Sequence, residues 1–480
     1  MGPNVAEAAD RRRRWFPGTP RRAIVRAMSY FYEDLVRRCR GGSCTCGRTH
    51  AVAAEDVLVG RGVLERSAAM LGDAVPSGGC AWVLSDERTE DAAGRTWKRH
   101  ARGVRLVAEI LPGDPKPIPT IELVHRLASE VRAAGAAVIV GIGSGVIADL
   151  AKQASKETGI PNWAVATAAS VDAYGSATAA IRVEGYHRTL PTAASRHIAC
   201  DLDVIAGAPR ELFLAGLGDL LAKIIAYLDW NLARAMTDEY YCPVISEASL
   251  GSARQALGAA RTLAADPIAA ARTLTDAVLT SGFAMQSLGG SRPAASAEHT
   301  IAHHWEAAGV VGNPRWDLHG VLVGAASRIV LRAYRRLVEI LPAFRPDPEA
   351  RLAAFDREPP WEQGLEEGMR PFLSKIREEM ALRRFDRAIL ADRLARFAHR
   401  REEILAMARP LLGELSEAVR LLEGLGYPFD LAELGVPQDA AATAVRNVDL
   451  LRHRYSCFDL AYELGLSGEM RDAAFAAFTP

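Results

Sequence analysis

Val138-Ile139-Val140-Gly141-Ile142-Gly143-Ser144-Gly145 runs from an apolar strand into a glycine turn, and a helical pattern carrying Asp149 and Lys152 follows at once. Glycines let a backbone approach a ligand without a Cβ in the way. The free N–H groups and the dipole at a helix start favour a phosphate there. The spacing is not the G-x-G-x-x-G of the Rossmann fingerprint, but strand, glycines and helix come in the order a pyrophosphate needs. On either side of this turn, residues 57–59, 81–84, 104–110 and 164–167 read as strands. Residues 121–134 and 146–158 read as helices, and 91–99 as a weaker one interrupted by Gly94. Such alternation predicts a parallel sheet covered by helices. A hairpin is expected over 176–183 and 188–191, turning at Glu184-Gly185, and a last strand over 198–205. The loop Thr167-Ala168-Ala169-Ser170-Val171-Asp172 leaves the strand at 164–167. Carboxyl ends of neighbouring strands are where such sheets bind ligands.

After Pro209 the strand patterns stop. Leu212, Leu217, Leu220, Leu221, Ile224, Ile225 and Leu228 make a broad helical face, and helical patterns continue to the end of the chain. Three segments follow from this reading: a basic N-terminal arm over 1–50, an α/β dinucleotide-binding domain over 51–209, and an all-helical domain over 210–480. The charged stretch 361–422 reads as exposed helices, either a solvated insertion or an oligomer contact.

The 480 residues are 49% hydrophobic and 24% charged, as in soluble globular proteins with a large core. Lys+Arg and Asp+Glu each total 58, so no overall charge points to a nucleic-acid partner. The local exception is the run Arg11 to Arg14, with Arg21, Arg22 and Arg26 nearby, which reads first as a solvated arm. Seven cysteines do not make a disulfide framework, no apolar run is long enough to span a bilayer, and the start lacks a secretory core. A cytoplasmic protein is expected. Cys39, Cys44, Cys46 and His50 are candidates for a small zinc site, against the alternative of free thiols, because Cys-x-Cys departs from the usual two-residue spacing.

Asp219 falls in the middle of a strongly apolar helix, where an unpaired carboxylate is costly. Its partner is either Lys223, one turn on, or a cation. His299 and His303 stand four apart, on one face of a helix, and His319 starts another apolar helix. Glu298 precedes His299, so the H-E-x-x-H metalloprotease pattern fails. One carboxylate with two imidazoles would leave a tetrahedral divalent ion an open position for substrate.

The segments 141–149, 166–180, 215–219, 291–299 and 318–320, with Cys44-Thr45-Cys46-Gly47 and Arg454-Tyr455-Ser456-Cys457-Phe458-Asp459-Leu460-Ala461, resemble the glycerol-1-phosphate dehydrogenases, their bacterial branch above all. That family lies in the iron-containing alcohol dehydrogenase and dehydroquinate synthase superfamily. The resemblance implies the dehydroquinate synthase-like fold: a parallel-sheet NAD(P)-binding domain followed by an all-α metal-binding domain. It implies that Gly143, Ser144 and Gly145 cradle the pyrophosphate of NAD or NADP. Asp86, Asp149, Thr167 and Ser170 are implied to stand near the cofactor, and Asp172 beside the substrate and its chemistry. Asp219, His299 and His319 are implied to hold one divalent metal, zinc first, with nickel or iron accepted by the same donors. His303 would relay a proton, and Arg292 would hold a substrate phosphate. The implied reaction moves a hydride between NAD(P)H and dihydroxyacetone phosphate, giving sn-glycerol 1-phosphate, in a homo-oligomer. The rivals are a sugar-phosphate cyclase like dehydroquinate synthase, a dehydrogenase of an unphosphorylated polyol such as glycerol, and an inactive binding protein. Asp219 stands where the cyclases usually place glutamate, which favours a dehydrogenase.

Overall fold

Six strands alternate with helices along the first half of the chain and assemble into one parallel sheet. They are β1 (Asp56–Gly60), β2 (Cys80–Asp86), β3 (Arg105–Leu111), β4 (Ala136–Gly143), β5 (Asn162–Ala166) and β8 (His197–Asp201), in the order β1-β8-β5-β4-β2-β3. The structure is a computed structural model and describes residues 30–40, 42 and 44–476; Arg11 to Arg14, Arg21, Arg22 and Arg26 lie outside them. The period-2 alternation of strands sorts side chains to two faces. Ala81, Val83, Val138, Val140 and Ile142 face the helices around Leu64, Ala68 and Trp97. Trp82, Leu84 and Ile139 face the opposite layer of α2 (Ile121–Ala134) and α3 (Gly145–Thr158). The expected hairpin forms as β6 (Thr178–Val183) and β7 (Tyr186–Pro191), with φ 52° at Glu184 and 82° at Gly185. The expected last strand over 198–205 ends at Asp201 instead. There the Asp201 carboxylate accepts from the Asp203 N–H and starts a short helix, Leu202–Ala206.

The rest is helical, preceded by α1 (Phe31–Arg40), which packs back on the bundle. The longer helices are α4 (Arg210–Met236), α5 (Pro243–Thr262), α6 (Pro267–Leu288), α7 (Ala297–Ala308), α8 (His319–Ile340) and α9 (Arg387–Gly424). Helix α4 is apolar on all sides because α5, α8 and α9 surround it. The reading of 361–422 as exposed is corrected here. Helix α9 buries Leu390, Leu394, Phe397, Ile404, Leu405, Leu411, Leu412 and Leu415 against α4 and α8 and turns its charges outward. No helix among the described residues is long and apolar enough to cross a membrane.

His197 starts β8 with its ring buried beside Trp163, ring centroids 4.3 Å apart, and its Nε2 3.0 Å from Ser67 Oγ. Burial, with Arg66 nearby, pushes its pKa down to about 4. The folded ring is therefore neutral, while the unfolded ring protonates near its ordinary value of about 6.5. Below that value the unfolded state binds more protons, so stability is complete above pH ~6.5 and is lost as pH falls towards 4. The loss is on the order of 3 kcal/mol for this one group. Urea midpoints measured from pH 7.5 down to 4.5 should fall, and His197→Gln should flatten that slope; an unchanged slope would refute the assignment.

Candidate active site

The carboxyl ends of β2, β4 and β5 open into a cleft of about 1010 Å³, walled on the other side by α4, α7 and α8. Asp86, Ser144, Gly145, Asp149, Thr167, Ser170, Asp172, His299, His303 and His319 all line it. Ser144 is the N-cap of α3 and makes no side-chain capping bond. The first N–H groups of α3 therefore face the cleft unused by a cap, which suits a pyrophosphate. Gly143 does not line the cleft. A Cβ there would meet the Ile147 Cβ at 2.6 Å, so this glycine serves the packing of α3 on the sheet. Asp149 has its carboxylate engaged on Lys152 (2.9 Å) and on the Ala180 N–H (2.9 Å), which ties the β6–β7 hairpin to α3. Asp86 ends β2 and accepts from the Thr89 N–H (2.9 Å), closing a capping box on the next turn of helix.

Two close approaches bring the metal candidates together. A Cβ at Gly216 would lie 2.0 Å from the Ala169 carbonyl, and one at Gly320 2.0 Å from the Ala215 carbonyl. Only glycine lets the 167–172 loop and the start of α8 press on α4 from two sides. Asp219 thereby meets both: its Oδ2 accepts from the Asp172 N–H at 3.2 Å, and one oxygen, His299 Nε2 and a His319 nitrogen lie within 4.8 Å of one another. The expected ion-pair partner is present as well. Lys223 Nζ, fully buried, lies 3.0 Å from Asp219 Oδ1 and 2.9 Å from Asp172 Oδ2. Burial works against the charge on Asp219, but Lys223 and then His299 hold its pKa far below the carboxylate range.

Both imidazoles are anchored from behind. His299 Nδ1 lies 2.8 Å from Glu298 Oε1, and His319 Nδ1 3.0 Å from Glu306 Oε1. A carboxylate on one ring nitrogen fixes the tautomer and aims the other at a metal, so the donor set fits a divalent ion. Burial lowers the His319 pKa, but Glu306 outweighs it and raises it to about 9, so a metal must displace a proton there. His303 Nδ1 lies 3.0 Å from the second oxygen of Glu306, and burial pushes its pKa down to about 3, leaving a neutral ring. Glu298, Glu306 and His187 carry no role in the reading from the sequence. The i,i+3 spacing of His303 and Glu306 was the available signal.

Arg292 is a correction. It is buried outside the cleft, with Nε 2.7 Å from Glu239, Nη2 on the carbonyls of Asp229 (3.1 Å) and Tyr455 (3.0 Å), and Nη1 3.5 Å from Ser296 Oγ. A guanidinium so occupied has no face for a phosphate. Arg182 and Arg452 do line the cleft. Arg182 donates to the Glu306 carbonyl at 3.0 Å and leaves its buried Nε without a partner; Arg452 reaches Thr189 Oγ1 at 3.4 Å.

Residues 58–209 match the iron-containing alcohol dehydrogenase family. A glycerol-1-phosphate dehydrogenase [NAD(P)+] of Bacillus licheniformis is 30% identical over 303 residues, which are 62% of this chain and 75% of that protein. The chain belongs to the glycerol-1-phosphate dehydrogenase family of iron-containing alcohol dehydrogenases. Another member of this family, from Methanosarcina acetivorans, is 31% identical over 276 residues, 58% of this chain and 75% of its own. Among solved structures, glycerol dehydrogenase from Schizosaccharomyces pombe aligns with a TM-score of 0.54 at 15% identity, over 88% of this chain and 90% of that one. The NADH-dependent butanol dehydrogenase A of Thermotoga maritima aligns with a TM-score of 0.56 at 15% identity, over 89% of this chain and all of the other. Those two likenesses carry the fold. Membership of the family implies a nucleotide cofactor and a divalent metal.

Proposed function

We propose that the chain reduces dihydroxyacetone phosphate to sn-glycerol 1-phosphate with NADH or NADPH. The observation that carries this reading is the pair of carboxylate-anchored imidazoles gathered around Asp219 at the wall of a cleft that also holds an uncapped helix start. When bound, the metal supplies Lewis-acid polarisation of the ketone, and the reduced nicotinamide supplies the hydride. Asp219, His299 and His319 hold the metal, for which zinc suits this donor set. The N–H groups at Ser144 and Gly145 bind the pyrophosphate, with Thr167 and Ser170 along the same wall. Arg182 and Arg452 bind the substrate phosphate. Asp172, fixed by Lys223 and by Ser281 Oγ at 2.7 Å, sets the position of the Asp219 carboxylate through its own N–H. His303 keeps Nδ1 on Glu306, so its Nε2 is the atom that exchanges a proton with the substrate oxygen through water.

The test is the purified, zinc-loaded chain given dihydroxyacetone phosphate and reduced cofactor. One cofactor should be oxidised per ketone, and the product should be glycerol 1-phosphate and not its enantiomer. No net cofactor oxidation would favour a cyclase. Equal kcat/KM for dihydroxyacetone would favour an unphosphorylated-polyol dehydrogenase.

Charge-assisted bonds contribute about 1.5–3 kcal/mol, so Arg452→Ala should raise KM for dihydroxyacetone phosphate roughly 10–100-fold. Turnover of unphosphorylated dihydroxyacetone should not change. An equal loss on both ketones would remove Arg452 from the phosphate site.

The adenosine end carries one residue for each cofactor. Asp86 suits a free ribose 2′-hydroxyl, and Arg88, 68% exposed at the cleft, suits a 2′-phosphate. Arg88→Ala should raise KM for NADPH by about tenfold and leave KM for NADH unchanged, while Asp86→Ala should do the reverse. Steady-state KM values with both cofactors decide it; parallel shifts would contradict this division.

A further inference from the structure

Four metal-ligating side chains also meet outside the cleft, and none of them lines it. Cys44, Cys46 and His50 lie on the turn that leads to β1, while Cys242 is the N-cap of α5. Cys44 Sγ lies 3.7 Å from Cys242 Sγ. His50 Nε2 lies 3.2 Å from Cys46 Sγ and 3.4 Å from Cys242 Sγ. All four donor atoms fall within 4.8 Å of one another, and all the thiols are free. Zinc bonds of about 2.3 Å to sulfur and about 2.0 Å to nitrogen, at tetrahedral angles, require S···S near 3.8 Å and S···N near 3.5 Å. The Cys44–Cys242 separation of 3.7 Å matches the first, and the His50 distances of 3.2 Å and 3.4 Å lie close to the second.

Its surroundings are those of ligands. His50 Nδ1 lies 3.0 Å from the Ser287 carbonyl, so that nitrogen carries the proton and Nε2 presents its lone pair to the sulfurs. The Tyr240 hydroxyl donates to Cys46 Sγ at 2.9 Å, and the Arg48 guanidinium stacks 3.5 Å above the Tyr240 ring. A hydroxyl donor on the sulfur, with a cation stacked on the ring that carries it, suits a thiolate cluster with net negative charge. Cys39, the fourth candidate on sequence, is not part of it; its Sγ lies 3.3 Å from Ser287 Oγ.

We propose that Cys44, Cys46, His50 and Cys242 form a structural Cys3His zinc site, separate from the active-site metal, that fastens the leading segment of the chain to the helical bundle. Four protein ligands close the coordination sphere, so the site holds metal without chemistry.

Elemental analysis of the full chain after dialysis should find about two zinc equivalents per protomer, and about one in His299→Ala and in the double variant Cys46→Ser/Cys242→Ser. Cobalt(II) exchanged into His299→Ala reads the new site in a protein whose four ligands are intact. A thiolate-to-cobalt charge-transfer band is expected there, and its absence from the cysteine double variant. A zinc content that is the same in the cysteine double variant as in the unaltered chain, a cobalt form of His299→Ala without that band, or a Cys44–Cys242 disulfide found in the unreduced protein by mass spectrometry would each overturn the site. Failure of the active-site reading would leave the band untouched.

Discussion

His299→Ala should lose the active-site metal and nearly all turnover together. The ring is one of the three proposed donors, and Glu298 Oε1, itself held by the Ser296 N–H at 2.9 Å, anchors its Nδ1. Lewis-acid polarisation is worth several kcal/mol in the transition state, and each 1.36 kcal/mol is tenfold in rate, so kcat should fall by about 10³ or more. Glu298→Gln keeps the ligand and weakens only its anchoring, so a milder loss, roughly 10–100-fold in metal affinity or activity, is expected. Metal content and kcat measured on the same preparations check both. Unchanged kcat in a metal-free His299→Ala protein would end the proposed mechanism.

The parts of the fold that sequence reveals are those governed by local periodicity. Strand alternation placed the sheet, and the glycine turn at 141–145 fell at the end of β4 as expected. The failures are those of long side chains and distant partners. Arg292 stands beside the motif that carries His299, yet its guanidinium is captured by Glu239, 53 positions earlier, on a segment that only folding brings near. Cys242 is separated from His50 by 192 positions, so the four-ligand cluster could not be assembled from the Cys-x-Cys stretch alone. The 361–422 stretch misled for another reason. Its charged residues are interspersed with the apolar ones, but along α9 the leucines share one face, and one face is enough to bury a helix. Of the two partners expected for Asp219, Lys223 is seen on Oδ1, and His299 and His319 stand around the same carboxylate, so the ion pair does not exclude a cation there.

That arrangement makes Lys223→Met the most severe test of the site's electrostatics. Lys223 is the fully buried cation between two carboxylates, and burial lowers its pKa less than Asp172 and Asp219 raise it. Removing one partner of a buried pair strands the other, at a cost of about 3–5 kcal/mol. Methionine fills similar volume, so that loss is electrostatic and not a cavity. In metal-free unaltered protein, Asp219 has a folded pKa below its unfolded one, so its stabilisation is present above pH ~4 and is lost as pH falls. In Lys223→Met the sign reverses. With Lys223 gone, the protonated His319 is left shared between Glu306 and Asp219, so the Asp172–Asp219 pair retains a proton, the folded state then binds more protons than the unfolded one, and stability rises as pH falls from 8 towards 5. Urea midpoints of the two chelator-treated proteins should therefore converge at pH 5 and separate at pH 8. A constant gap across that range would mean that Lys223 stabilises the helix by packing, and not as counter-ion to the metal carboxylate.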